Sequence, residues 1–151
     1  MRTLDRPIFI LGCNRSGTTL LFNTLAQHPV TWSLYGEGQH LFHALWPVHP
    51  TEGEQVISAS TEEQVELRDA FYQAAHNKER FKDTPVLRYL PRKLFQRPLR
   101  YGYRPEAVRL VEKTPANCLR VPMLAGVFPD ARFIFLVRRG EEVVSSLMEG
   151  W

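Results

Sequence analysis

The sequence of 151 residues predicts an α/β fold, in which helices cover both faces of a parallel sheet. Short, continuous apolar runs at residues 7–11 and 133–137 are typical of strands that are buried on both faces. Segments with helical periodicity alternate with these runs, and such alternation produces parallel sheets through right-handed crossovers. The length suits one domain, and 44% apolar with 23% charged residues is a composition that supports a packed core.

The predicted elements alternate along most of the chain. The predicted strands lie at residues 7–11, 30–34, 108–111 and 133–137. The predicted helices lie at residues 18–27, from Thr61 onward, at 117–128 and at 141–148. His28-Pro29 ends the first helix, and a capping box of Thr61-Glu62-Glu63-Gln64 begins the second. Ligands of such sheets bind beyond the carboxyl ends of the strands, which we place near Gly12, Leu34, Glu112 and Arg138.

The segment after the first strand has the composition of a phosphate-binding loop. Residues 12–19 keep the G-x-x-x-x-G spacing of a P-loop, with Thr18 where a nucleotide-hydrolysing P-loop has lysine. Gly12 and Gly17 allow backbone N–H groups to converge on an anion, and the following helix adds its positive end. Side chains that would help to bind the anion are Arg15, Ser16, Thr18 and Thr19. The fold is therefore P-loop-like. The small Cys13 within the loop is expected to be buried.

Residues 15–19, Arg-Ser-Gly-Thr-Thr, followed by Leu-Leu and later by His28-Pro29, resemble the 5′-phosphosulfate loop of sulfotransferases. These enzymes use 3′-phosphoadenosine 5′-phosphosulfate (PAPS) as sulfuryl donor and release adenosine 3′,5′-bisphosphate (PAP). The resemblance is closest to the branch of protein-tyrosine and many bacterial sulfotransferases. It implies that the donor-binding residues of the loop are Arg15, Ser16, Gly17, Thr18 and Thr19.

A second segment supports the same resemblance. The strand at 133–137 ends in Arg138, and Ser146 follows eight residues later, as in the family's site for the 3′-phosphate. An arginine can bind a phosphate bidentately while a hydroxyl group donates one further hydrogen bond. The family commonly places Asp or Asn and then Pro after this arginine, whereas this chain has Arg139-Gly140. Arg139 is therefore an alternative for the phosphate-binding role.

The resemblance also implies catalytic residues. Lys113, in Glu112-Lys113-Thr114-Pro115, resembles the lysine that reaches the transferring sulfuryl group, and Arg15 would stabilise charge beside it. Glu37 lies near the position of the family's general base, although the register is open by one residue because Gly38 follows. His40 is an alternative base. His40 and His43 do not make a metal site by themselves, so no metal is expected.

The resemblance implies transfer of a sulfuryl group from PAPS to an acceptor hydroxyl or similar group. The acceptor itself cannot be identified from the sequence. A P-loop kinase of a small molecule is one alternative, and a truncated, non-catalytic nucleotide-binding fragment is another. We interpret residues 1–151 as a single, partial sulfotransferase-like domain, because the family's domain normally continues further. Residues 35–106 would form a helical and loop insertion on the acceptor side.

Charge and hydropathy limit the partners. A net charge of +3 does not by itself indicate nucleic acid, so the expected partners are the nucleotide donor and the acceptor. No apolar run approaches the ~18 residues of a membrane span, and no signal-peptide pattern is visible, so we expect a cytoplasmic protein. Two cysteines do not form a disulfide framework. An apolar flank left open near Trp151 would favour self-association.

Overall fold

The computed structural model describes residues 3–28, 30–34, 36–45, 59–76 and 107–149. The strands are β1 (Thr3–Leu4), β2 (Ile8–Gly12), β3 (Thr31–Ser33), β4 (Ala107–Lys113) and β5 (Arg132–Leu136). The helices are α1 (Thr18–Leu25), α2 (Gln39–Leu45), α3 (Thr61–Ala74), α4 (Val121–Val127) and α5 (Gly140–Met148), with a 3-10 helix at Pro115–Leu119 before α4. Much of the predicted insertion at 35–106, including all of 77–106, lies outside the described residues.

The strands form one parallel sheet, which confirms the predicted fold class. β4 is paired with β1, β2 and β3, and β2 is paired with β5. Because Val111 is aligned with Ile8 on one side and with Ser33 on the other, the four main strands follow the order β3, β4, β2, β5. The crossovers through α1 and α4 run in opposite directions across the sheet. Right-handed crossovers then place these two helices on opposite faces.

The core on the α4 face of the sheet is aromatic. The Phe9 ring of β2 lies 6.2 Å from the Phe71 ring and 5.3 Å from the Phe128 ring, between ring centroids. Phe71 lies on α3, which therefore packs over the sheet together with α4. The described part of 35–106 thus shares the core of the sheet. Edge-to-face and tilted aromatic pairs of this kind stabilise a core beyond the area they bury.

Several helices differ from the prediction. Two differ only at an end, since α1 ends at Leu25 and α5 begins at Gly140. The capping box of α3 lies one residue earlier, because the Ser60 side chain accepts from the Glu63 N–H group and the Glu63 carboxylate accepts from the Ser60 N–H group. The helix predicted at 117–128 is divided into the 3-10 helix and α4, because Pro122 lacks an N–H group and is tolerated only in a first turn. The seven-residue helix α2 was not predicted.

Large apolar side chains are exposed on β5, on the residue that follows it and on α5. They are Phe135, Val137, Val144, Leu147 and Met148. This is the region in which the sequence predicts an open apolar flank, and self-association through it stays a prediction. Within the described residues, no helix is both long enough and apolar enough to cross a membrane.

Candidate active site at the carboxyl ends of the strands

Residues 13–17, called the anion loop below, connect β2 directly to α1. Gly17 is the N-cap of α1 at a φ of 93°, a left-handed conformation that glycine adopts without steric cost. No described side chain caps this helix, so the N–H groups of its first turn have no side-chain acceptor there. Arg15 is also left-handed, at a φ of 67°. The loop thus presents backbone donors and the positive end of a helix beside a cationic side chain.

The remaining polar residues of the anion loop and the start of α1 differ in exposure. The Thr18 side chain is buried, whereas Thr19 is exposed and Ser16 is half-buried. The Ser16 N–H group donates to the Cys13 carbonyl over 3.2 Å and closes a turn. Cys13 is exposed, so the prediction that it is buried is wrong: the turn directs it outward, away from the core. Cys118 is a second free and exposed thiol.

Arg138 and Ser146, the residues predicted for the 3′-phosphate, meet the anion loop. The Arg15 Nε–H group donates to Ser146 Oγ over 3.0 Å, and an Arg138 Nη1–H group donates to the Arg15 carbonyl over 3.0 Å. Arg138 Nε also donates to Glu142 over 2.9 Å, one turn into α5. Arg139, the alternative, instead pairs with Glu141 and its side chain is 76% exposed. Of the two arginines, Arg138 is the one that contacts the loop.

Lys113 and Glu37 form an ion pair at the end of β4. The Lys113 ammonium donates to Glu37 Oε1 over 2.7 Å. Lys113 is aligned with Ile10 of β2, two residues before the strand ends at Gly12. The Lys113 side chain is 14% exposed and that of Glu37 is 44% exposed, so the pair is open to solvent on the Glu37 side. His40 Nδ1 lies 3.0 Å from the Glu37 carbonyl oxygen, so this ring nitrogen faces backbone.

Glu112, next to Lys113, is completely buried and belongs to a polar network that the sequence analysis missed. Its Oε1 accepts from the Gly38 N–H group over 3.1 Å and from the Thr114 hydroxyl, and its Oε2 accepts from Asn117 Nδ2 over 2.7 Å. The Gly38 N–H group also donates to Thr114 Oγ1 over 2.8 Å. We call Glu112, Gly38, Thr114 and Asn117 the Glu112 cluster. The visible sequence signal is a glutamate inside a buried strand, with Thr and Asn shortly after it.

Burial dominates the electrostatics of the Glu112 cluster. Loss of hydration raises the pKa of Glu112 to about 7, against a lowering by the hydrogen bonds from Thr114 and Gly38. Arg120 is the nearby cation: its guanidinium lies 4.7 Å from the centre of the Phe42 ring, and burial lowers its pKa while the charge of Glu112 raises it. Among the described residues, Arg120 Nη1 and Asn117 Oδ1 have no hydrogen-bond partner.

The predicted site residues therefore form two groups. Arg15, Arg138 and Ser146 meet at the anion loop, and Glu37 and Lys113 meet at the end of β4. Both groups lie at the carboxyl ends of adjacent strands, although no hydrogen bond among the described residues joins them. Within the same residues, no three His, Cys, Asp or Glu side chains are grouped as metal ligands.

A P-loop-like strand, loop and helix, with Arg15 and Arg138 beside the loop, characterise this α/β domain. The model of the sulfotransferase family matches residues 7–151, and the chain belongs to this family. The chain is also similar to a crystal structure of a sulfotransferase from Mycobacterium avium, with 21% identity and a TM-score of 0.44. That similarity covers 97% of this chain and 46% of the other, so the chain spans less than half of the solved protein. None of the curated proteins that were compared matches the chain.

Proposed function

We propose that this chain binds PAPS and takes part in the transfer of its sulfuryl group to an acceptor hydroxyl or similar group. One observation carries the proposal: Arg15 and Ser146, which are 131 residues apart, are hydrogen-bonded, with Arg138 on the Arg15 carbonyl. The two segments predicted to bind the two ends of the donor therefore lie side by side. A ligand with anionic groups at both its 5′ and 3′ positions fits such an arrangement.

The anion loop and α5 would bind the donor. The N–H groups at the start of α1 would donate to the 5′-phosphosulfate, assisted by the hydroxyl groups of Ser16 and Thr19 and by Arg15. Thr18, being buried, would contribute its backbone N–H group. Arg138 and Ser146 would bind the 3′-phosphate. Arg15 and Ser146 are hydrogen-bonded to each other, and donor binding would exchange that bond for bonds to the ligand.

Glu37 and Lys113 would act on the transferring group. In the transfer, a bond forms between the acceptor oxygen and sulfur while the bond from sulfur to the 5′-phosphate oxygen breaks. Glu37 would accept the acceptor's proton, and Lys113, with Arg15, would stabilise negative charge on the sulfuryl and leaving oxygens. The pair at 2.7 Å supports the assignment of Glu37 over a base in a neighbouring register, because it places this acid beside Lys113.

The kinase alternative is disfavoured by position 18. A nucleotide-hydrolysing P-loop uses a lysine there to reach the phosphates, together with a site for Mg²⁺. Thr18 is instead a buried side chain, 4% exposed, at the start of α1. The cations at the loop are Arg15 and Arg138. These arginines suit a donor whose negative charge is neutralised by protein side chains.

Calorimetry with two ligands tests the donor assignment. We expect the chain to bind adenosine 3′,5′-bisphosphate more tightly than ATP with Mg²⁺. Tighter, Mg²⁺-dependent binding of ATP would contradict the proposal in favour of the kinase. Release of the bisphosphate from PAPS in the presence of hydroxyl acceptors then tests transfer. Binding without any release would identify the non-catalytic alternative.

A further inference from the structure

The Glu112 cluster contains a buried carboxyl group to which the proposed transfer assigns no role. An acidic side chain is rarely buried completely, and it is retained there only with several hydrogen bonds. Glu112 has three donors: Thr114 at the N-cap of the 3-10 helix, Asn117 within that helix, and Gly38 in the segment before α2. Such a network fixes the positions of the elements that supply its donors.

Two contacts connect the same two short segments. Glu112 Oε1 accepts from the Gly38 N–H group, and the neighbouring Lys113 donates to the neighbouring Glu37. The first contact is buried, and the second is partly open to solvent. A surface ion pair alone fixes the position of two long side chains only weakly. The Gly38 N–H group also donates to Thr114 Oγ1, whose hydroxyl donates to Glu112. Glu112 therefore determines where the backbone of Glu37 lies relative to the end of β4 both directly and through Thr114.

We propose that Glu112 is a positioning residue: its carboxyl group holds the Gly38 backbone against β4 and thereby brings Glu37 to Lys113. The role that this pair plays in sulfuryl transfer rests on the proposed function, whereas the positioning itself does not. Glu112 would contact neither the sulfuryl donor nor the sulfuryl acceptor, and it would act through Glu37.

Gly38 shows how closely the two segments approach. A Cβ atom added at this residue would lie 3.0 Å from Glu112 Oε1, 3.0 Å from Leu34 Cδ1 and 3.3 Å from the Phe71 ring. Side chains do not fit in this space without displacing the buried carboxyl group or the core. The glycine at position 38 then has a physical reason, since Glu112 occupies the space that a side chain there would need.

The chemical accessibility of Lys113 measures the position of the pair. An ammonium group held by a carboxylate is shielded from an acylating reagent, and mass spectrometry reports acylation at each lysine separately. Lys78, Lys82 and Lys93 serve as internal references for the reagent. We expect Glu37→Gln to accelerate acylation of Lys113 by about three- to fivefold, the factor that corresponds to a partly exposed ion pair.

Glu112→Met should accelerate acylation of Lys113 by the same factor as Glu37→Gln, and the double variant should not exceed either one. Glu112→Gln, which keeps an oxygen acceptor for the Gly38 N–H group, should stay near the wild-type rate. A merely structural loss would instead add to the effect of Glu37→Gln. Because Glu112→Met removes a buried acceptor, Gly38→Ala provides a second variant, which keeps every charge and disturbs the backbone contact by crowding Glu112, Leu34 and Phe71.

The outcomes separate this proposal from the proposed function. Wild-type protection of Lys113 in folded Glu112→Met, or in Gly38→Ala where Glu112→Met does not fold, overturns the positioning role. The positioning role is also overturned if the effects of Glu112→Met and Glu37→Gln on the acylation rate of Lys113 are strictly additive in the double variant. Where the chain transfers sulfuryl groups, Glu112→Met should lower kcat by about tenfold to a hundredfold with unchanged affinity for the bisphosphate. If acylation of Lys113 follows the expected pattern but the chain does not transfer sulfuryl groups, the proposed function is contradicted and the positioning role is not.

Discussion

The anion loop and the Glu112 cluster both lie at the carboxyl ends of strands, yet they are built differently. The anion loop is largely exposed and consists of consecutive residues that supply backbone groups and one cation, Arg15. The Glu112 cluster is buried and consists of a carboxyl group with donors from two segments, the one before α2 and the 3-10 helix with its N-cap. The first arrangement leaves donors available to a ligand. The second uses its donors internally, which suits a part of the site that must hold other residues in place.

Because of this difference, mutations in the two regions should affect different quantities: donor affinity in one, and stability or turnover in the other. Changes at the anion loop should alter donor affinity and leave stability almost unchanged, because its side chains are exposed. Changes at the Glu112 cluster, and at the pair that it adjoins, should alter stability or turnover and leave donor affinity unchanged. Four tests, in order of decreasing expected effect, examine this division.

Glu37→Gln should have the largest effect, on turnover. Loss of the proposed general base should lower kcat by about 10²–10⁴-fold, while affinity for the bisphosphate stays at the wild-type value because Glu37 lies apart from the anion loop. Steady-state kinetics with PAPS, together with calorimetry, measures both quantities. Glu141→Gln is the matched control, because it alters an exposed glutamate paired with Arg139 and should leave kcat unchanged. A comparable loss of affinity would show that the two regions are not separate.

The pH dependence of stability should distinguish the buried carboxyl group from exposed ones. The folded-state pKa of Glu112 is about 7, against an ordinary value of 4.5, so between these pH values the folded chain holds a proton that the unfolded chain releases. The stability contributed by this proton is fully present below pH 4.5 and is lost as the pH rises through 7. The loss amounts to about 3 kcal/mol at 1.36 kcal/mol per pH unit.

Urea unfolding from about pH 5 to 8 measures this loss, and Glu112→Gln is its control because it cannot titrate. The free energy of unfolding of the wild type should fall relative to that of Glu112→Gln as the pH rises across this range. A constant difference between the two proteins would show that the Glu112 carboxyl group is not desolvated, and the contrast between the two regions would lose its electrostatic basis.

The two regions also differ in how far the sequence predicts them. The anion loop is local, since its strand, turn and helix are consecutive in the sequence. Arg138 and Ser146 are also close in sequence, because they lie after one strand and in the helix that follows it. Glu112 and Gly38 are 74 residues apart, and their contact depends on the placement of α2, which the sequence did not predict. The expectation that charged residues lie at the surface also directs attention away from a buried glutamate. The periodicity of apolar residues predicts helices and strands, but it does not predict a polar contact between residues this far apart in the sequence.

The parallel sheet was predicted correctly because its strands include continuous apolar runs, of which β2 is buried as expected. The prediction that the run at 133–137 is buried on both faces is wrong, because β5 has no buried residue and Phe135 and Val137 are exposed. Boundaries were less predictable where one residue decided them. Pro122 divides a helix that periodicity alone would continue, and Ser60 competes successfully with Thr61 for the N-cap because Glu63 completes the capping box with it. The spacing of an arginine and a serine in the family predicts Arg138 and Ser146 as residues of one site. Their contact with Arg15 is a long-range fact that the fold supplies.

Arg138→Ala tests the other side of the division, with an intermediate effect on affinity. Loss of a charged hydrogen bond to the 3′-phosphate should weaken binding of adenosine 3′,5′-bisphosphate by about 1.5–3 kcal/mol, with a much smaller effect on 5′-AMP. Arg139→Ala is the neighbouring control and should change neither affinity, because Arg139 pairs with Glu141 away from the loop. Equal losses for the two nucleotides would show that Arg138 does not bind the 3′-phosphate.

The smallest expected effect concerns the backbone of Arg15. A left-handed conformation costs a residue other than glycine about 1–2 kcal/mol, and Arg15 adopts it at a φ of 67°. Arg15→Gly and Arg15→Ala remove the same guanidinium, so both should weaken bisphosphate binding equally. They should differ in stability: the glycine variant should unfold with a free energy higher by about 0.5–1 kcal/mol, after allowance for the greater freedom of glycine in the unfolded chain.

Urea denaturation of the two Arg15 variants measures that difference directly, with the wild type as reference. Equal stabilities would show that the loop leaves the left-handed conformation once the guanidinium is lost, so that the contacts with Ser146 and Arg138 had held it there. A more stable glycine variant would show instead that the turn itself imposes the conformation. The anion loop would then be preformed by its backbone, in contrast to the Glu112 cluster, whose geometry depends on the side chain of a single glutamate.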